Sequence, residues 1–171
     1  LNMSAAGIYP RELKGLTGII TTPLIHGDFA HLFSNSVPII ILGGFIIYFY
    51  PKVAYRVFWC IYLFTGILIW LIARPSYHIG ASGLVYGFVT FLLFSGIFRA
   101  DTKSIAISLL VTFLYGGLIW GIFPVYKGIS WEAHLLGAFV GALLAFIYRN
   151  IDPPEKFEWE EEEDHPTNYE F

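Results

Sequence analysis

The sequence predicts an all-α, polytopic transmembrane helix bundle with five spans. Composition is the first reason: 56% of residues are hydrophobic and 13% charged, too apolar for a soluble domain of 171 residues. The second is that the apolar residues arrive in runs near the ~20 residues needed to cross a hydrocarbon core of about 30 Å. The third is that turn chemistry or charge separates those runs, at Pro51-Lys52, Arg74-Pro75-Ser76, Arg99-Ala100-Asp101 and Pro124 to Gly128.

The expected spans are Phe29 to Tyr50, Val53 to Ala73, Ser82 to Phe98, Ser104 to Phe123, and Ser130 to Tyr148. Pro38 removes the helical partner of the Ser34 carbonyl, so a local kink is expected near Asn35. Trp59, Trp70, Trp120, Trp131, Tyr48 and Tyr126 lie near span ends, as interfacial anchors do. The single Cys60 lies inside an apolar run, which excludes a disulfide framework and reads as core. Residues 1–150 form one membrane domain, since the connections leave no room for a second. Leu1 to Gly27 lacks the basic start and continuous apolar core of a signal peptide. Residues 151–171 form an acidic tail with the run Glu160-Glu161-Glu162-Glu163-Asp164, expected to be solvated, disordered and cytoplasmic.

Charge sets the orientation. With the tail inside, Lys52, Arg56, Arg99, Lys103, Arg149 and Lys156 share the inner face, leaving Arg11, Lys14, Arg74 and Lys127 outside. The first, third and fifth spans then all start at the outer face. Polar groups within spans are costly and therefore informative, and three sets lie near those starts. They are His31-Leu-Phe-Ser-Asn35, Gly80-Ala81-Ser82-Gly83 with Tyr86 one turn on, and Ala133-His134-Leu-Leu-Gly137-Ala-Phe-Val-Gly141. Counted back from the inner basic residues at about 1.5 Å per residue, Asn35 and Ser82 lie roughly 25 Å away and His134 roughly 22 Å. The three sets occupy one layer, and chemistry that consumes water there needs a cavity open to the outer side.

Gly137 and Gly141 are one turn apart, which lets a neighbouring helix approach closely, and Gly83 and Gly87 offer the matching strip. If those faces meet, Ser82 comes within reach of His134. A serine hydroxyl attacks only when a base removes its proton, and an imidazole can take that proton and return it to a leaving amine. No carboxylate lies at this depth, so the expected arrangement is a Ser82–His134 dyad with Tyr86 as an aromatic shelf. His31, Asn35 and the backbone N–H of Ser82 are the donors available to an oxyanion.

These residues resemble the rhomboid family of intramembrane serine proteases. Gly80-Ala81-Ser82-Gly83 looks like its G-x-S-G, Ala133-His134 with Gly137 and Gly141 like its A-H-x-x-G-x-x-x-G, and His31 with Asn35 like its H-x-x-x-N. The resemblance covers roughly Thr21 to Arg149, with the three motifs in the family's order. It implies Ser82 as nucleophile, His134 as base, His31 and Asn35 at the oxyanion, and Tyr86 beneath the histidine. It also implies transmembrane protein substrates cut near a helix end, a plasma (inner) membrane of bacterial type, no cofactor and no metal. No nucleic-acid partner is expected. The family core has six spans, so a further span is expected upstream of Leu1. Where the family carries Trp-Arg in its outer loop, this chain has Tyr9-Pro10-Arg11-Glu12, a loose match.

Blander roles compete. Gly80 to Gly83 could be a small-residue packing strip, and His134, His31 and Asn35 could be interhelical glue. His26, His31, His78 and His134 could form a metal site of a small transporter, although their spacing follows no zinc pattern, and His26 and His78 read as loop or rim residues. A silent rhomboid-like protein that binds transmembrane clients is the alternative closest to a protease.

Overall fold

A computed structural model describes residues 3–125 and 128–151. The chain opens with short turns: 3-10 pieces at Met3–Ala6 and Leu13–Gly15, one α-helical turn, α1 (Gly18–Thr21), and a 3-10 turn at Thr22–Leu24. Five long elements follow. They are α2 (Phe29–Phe49), α3 (Ala54–Ile72), α4 (Ser82–Arg99), α5 (Thr102–Tyr115), which continues as a 3-10 segment (Gly116–Ile122), and α6 (Trp131–Ile147). By length and composition, α2, α3, α4 and the continuous 102–122 element can cross a membrane, and α6 is a shorter apolar helix of 17 residues. The expected bundle is therefore present, and the molecule is an integral membrane protein.

Two helix starts are written plainly in the chain. Asp28 accepts a hydrogen bond from His31 N at 2.7 Å, and Asp101 from Ser104 N at 2.9 Å, each satisfying an amide the first turn leaves unpaired. By contrast α4 begins at Ala81-Ser82 with no side-chain cap.

The central element is α4, packed against α2, α3, α5 and α6. Its Phe91 and Leu92 are fully buried among Leu42 and Ile46 of α2, Val57 and Ile61 of α3, Val111 of α5 and Leu144 of α6. The outer helix faces carry large apolar side chains such as Phe29, Ile40, Phe113 and Phe139. In water such a surface would drive aggregation, but against acyl chains it costs nothing.

The closest contact in the bundle is between α4 and α6. A Cβ added at Gly137 would overlap the Gly83 carbonyl oxygen and come within 2.8 Å of its carbon, and one at Gly141 would overlap the Gly87 carbonyl oxygen. Backbone meets backbone at both levels of the expected strip, which only glycine permits.

The segment before α2 docks over the end of the bundle at which α2, α4 and α6 begin. Ile8 pairs with His78 as an isolated antiparallel bridge, and Thr22 Oγ1 accepts from Ile8 N and donates to the His78 carbonyl. Arg11, in a left-handed conformation (φ 62°), donates from its backbone N–H to Trp70 O and from its guanidinium to Ala73 O at 2.8 Å. It thereby satisfies carbonyls that the end of α3 leaves free.

The fourth expected span is corrected in one respect. It is α-helical only to Tyr115, and its last third is 3-10, because Gly116, Gly117 and Gly121 remove the propensity that holds an α-helix together. The other four spans end within about a residue of expectation, the usual uncertainty at a frayed end. The helix of α2 is continuous through Pro38. Tyr126 and the acidic tail from Asp152 lie outside the described residues.

Candidate active site

Ser82 is the first residue of α4 and His134 sits in the first turn of α6. The glycine contact sets these two helix starts side by side, and His134 Nε2 lies 2.8 Å from Ser82 Oγ. On the other side of the ring, Nδ1 lies 2.8 Å from the Gly121 carbonyl oxygen. A carbonyl oxygen only accepts, so Nδ1 carries the proton and Nε2 is the basic nitrogen facing the serine hydroxyl. The Ser82 hydroxyl donates to it.

Tyr86, one turn below Ser82, stacks on the imidazole with ring centroids 4.2 Å apart and planes 7° from parallel. Its own hydroxyl donates to the Leu118 carbonyl at 2.7 Å. The shelf expected from the sequence is therefore itself anchored.

His31 and Asn35 face the turn that leads into Ser82. Gly80 has φ +102°, and a Cβ there would come within 2.7 Å of His31 Nε2 and 3.7 Å of Asn35 Nδ2. Both the backbone conformation and the space demand glycine. Asn35 is buried, and its Nδ2 donates to the His31 carbonyl at 3.0 Å. Ser82 N–H, the first of an uncapped helix, has no intrahelical acceptor by geometry. His31, Asn35, Ser82, Tyr86 and His134 line one cavity of about 900 Å³.

The cavity roof holds groups whose roles the sequence did not disclose. His78 lies in the α3–α4 connection as expected but is 1% exposed, not at a rim. Its Nε2–H donates to the Arg74 carbonyl at 3.1 Å, and its Nδ1 accepts from the Ser130 hydroxyl at 2.5 Å, just before α6 begins. Burial pushes its imidazole below the ordinary histidine value, opposed by the Arg74 carbonyl and by Glu132. Arg74 adds a 3.2 Å ion pair to Glu132 and a 2.7 Å hydrogen bond to the Ile129 carbonyl. Three bonds thus tie the α3–α4 connection to the start of α6, and so to the level of His134.

His26 rests edge-on against His31 with ring centroids 5.0 Å apart. Among the described residues no group of three or more His, Cys, Asp or Glu side chains converges as a metal site, so the four histidines do not assemble as one.

Comparison with known proteins agrees with the architecture. The family model described as Rhomboid domain matches residues 14–151. Uncharacterized proteins of Mycobacterium bovis and Mycobacterium tuberculosis are each 37% identical over 164 residues, covering 88% of this chain and 65% of theirs. One of Mycobacterium leprae is 35% identical over 159 residues, covering 88% and 62%. The chain thus spans a little under two thirds of the length of these relatives. With the family model matching most of the chain, and all three polar motifs converging on one cavity of a helical membrane bundle, the chain belongs to the Rhomboid family.

Proposed function

We propose that this protein is an intramembrane serine endopeptidase that hydrolyses peptide bonds in or near transmembrane segments of other membrane proteins. The observation that carries this is the 2.8 Å Ser82 Oγ to His134 Nε2 contact, with the opposite nitrogen held by a backbone carbonyl. Ser82 Oγ attacks the scissile carbonyl carbon while its proton passes to His134 Nε2. The carbonyl oxygen becomes an oxyanion, for which the Ser82 N–H, Asn35 Nδ2 and His31 Nε2 serve as donors. The imidazolium then protonates the leaving amine as the C–N bond breaks, leaving an acyl ester on Ser82. A water molecule, deprotonated by the same imidazole, hydrolyses that ester and restores the hydroxyl.

The cavity supports this sequence because His31, Ser34, Asn35 and Ser76 bring polar side chains to its otherwise largely apolar wall beside the dyad, where water can be held. A segment of a substrate helix must unwind to present its backbone there, since a helical carbonyl is already bonded within its own helix. The bacterial origin of the similar proteins supports a plasma (inner) membrane setting, and the distribution of lysine and arginine supports a cavity opening to the outer side.

Fluorophosphonate labelling in a folded, detergent-solubilised preparation tests the reading. Label is expected on the wild type, lost in Ser82→Ala and His134→Ala, and retained in Phe139→Ala on the lipid face. Labelling that survives Ser82→Ala would refute the assignment. A folded wild type that takes no label and cleaves no transmembrane substrate would point instead to a client-binding protein.

A further inference from the structure

A dyad without a carboxylate must still choose which imidazole nitrogen holds the proton. Were it on Nε2, the ring would donate to Ser82 Oγ and could not accept its proton. The acids near the site make their contacts elsewhere: Asp28 caps α2 through His31 N, and Glu132 pairs through Oε1 with Arg74, with neither carboxylate bonded to the His134 ring. The group that does meet Nδ1 is the Gly121 carbonyl, at 2.8 Å.

We propose that the Gly121 carbonyl is the positioning group of the dyad, holding His134 in the tautomer that can accept the serine proton. This rests on the protease reading for its catalytic meaning, but the geometry behind it is independent. First, Gly121 lies at the end of the 3-10 segment Gly116–Ile122, where the last carbonyls have no partner within the helix. His134 supplies one. Second, position 121 has no room for a side chain: a Cβ there would overlap the Tyr86 hydroxyl and come within 3.1 Å of His134 Nδ1. The absence of a side chain is what lets the backbone reach the ring.

The choice of 3-10 geometry follows. Residues three apart on a 3-10 helix lie one above the other, and Leu118 and Gly121 are three apart. One carbonyl therefore takes the Tyr86 hydroxyl at 2.7 Å, and the next along the same face takes His134. The stacked pair of rings is fixed from one segment, which sets both the plane of the imidazole and its protonation. An α-helix continuing from α5 would rotate position 121 away from position 118 by roughly 60°, at about 100° per residue.

The test is imidazole ¹⁵N NMR on the histidine-labelled chain in micelles, with His134 assigned by difference from His134→Ala. Fluorophosphonate labelling rates are measured on the same samples. In the wild type His134 is expected to be protonated at Nδ1 and unprotonated at Nε2. In Gly121→Ala the tautomers are expected to mix, with labelling slowed about tenfold or more, as loss of one orienting hydrogen bond implies. Gly117→Ala, where an added Cβ meets open space, is expected to change neither. A wild-type His134 carrying its proton on Nε2 would overturn the proposal, as would a folded Gly121→Ala with the wild-type tautomer and rate. Should Gly121→Ala fail to fold, the wild-type spectrum alone decides. A wild type that shows the Nδ1–H tautomer yet never labels at Ser82 would uphold the positioning while refuting the protease reading.

Discussion

Asn35 has two amide hydrogens, and the structure commits one of them to the His31 carbonyl at 3.0 Å. The other remains for whatever charge develops beside Gly80 and Ser82, in a site where a fixed donor is worth far more than in water. Asn35→Ala is therefore expected to slow fluorophosphonate labelling of Ser82 by about 10²-fold to 10³-fold, with helix content and thermal stability close to wild type. A fall in rate matched by loss of fold would assign Asn35 to packing instead. Asn35, Ser82, His134, His31 and Tyr86 were legible in the sequence for a common reason. A polar side chain inside an apolar run is costly, so its presence carries information. Gly121 and Leu118 were not legible, because what they contribute is a backbone carbonyl, and every residue has one. Glycines were visible at 116, 117 and 121, but nothing in the sequence distinguishes the one that touches the imidazole from the two that do not. Arg74 and Glu132 were equally silent, since an ion pair between residues so far apart in the chain has no local signature.

The pairing of α4 with α6 is the element on which the distance between Ser82 and His134 depends. The matching glycine strips were readable because helix geometry fixes which residues share a face, and the structure sets Gly83 against Gly137 and Gly87 against Gly141. The obstruction at 137 is backbone, not a flexible side chain, so the helices themselves must move to admit a methyl group. Gly137→Ala is expected to destabilise the fold by about 1–3 kcal/mol, the usual range for overpacking a close-packed interior. Gly137→Val is expected to do more, and both should slow labelling of Ser82 in the order wild type, Ala, Val. Gly44→Ala in α2 provides the contrast, because an added Cβ there meets nothing within 4 Å. It should hold or raise thermal stability by up to roughly 1 kcal/mol, the helix-propensity difference between glycine and alanine. Wild-type labelling in a monodisperse Gly137→Val preparation would mean that the helix contact does not set the dyad distance. The 3-10 ending of the fourth span escaped sequence reading because hydropathy is blind to helix type: Gly116–Ile122 is apolar enough to continue a span in either geometry.

At the scale of the whole molecule, the open question is which side of the membrane the cavity faces. The three starts that carry the polar motifs lie at one end of the bundle, and Arg99 and Arg149 lie at the other, where Arg99 donates to the Tyr148 carbonyl and stacks over Tyr50. If lysine and arginine follow the inner surface, the end of the bundle that holds the cavity and Ser76 faces outward and the end of α6 faces inward. This is checked by single cysteines on a Cys60→Ser background. In intact cells a membrane-impermeant maleimide is expected to modify Ser76→Cys, which lines the cavity, and to leave Asn150→Cys untouched until the cells are permeabilised. The reverse pattern would invert the molecule and place peptide hydrolysis on the cytoplasmic side. It would leave the dyad geometry intact but require substrate helices to unwind from their inner ends. On the proposed protease reading the outcome decides which end of a client helix enters the site, since a cavity at one end of the bundle is reached by the nearer end of a spanning segment and not by the farther one.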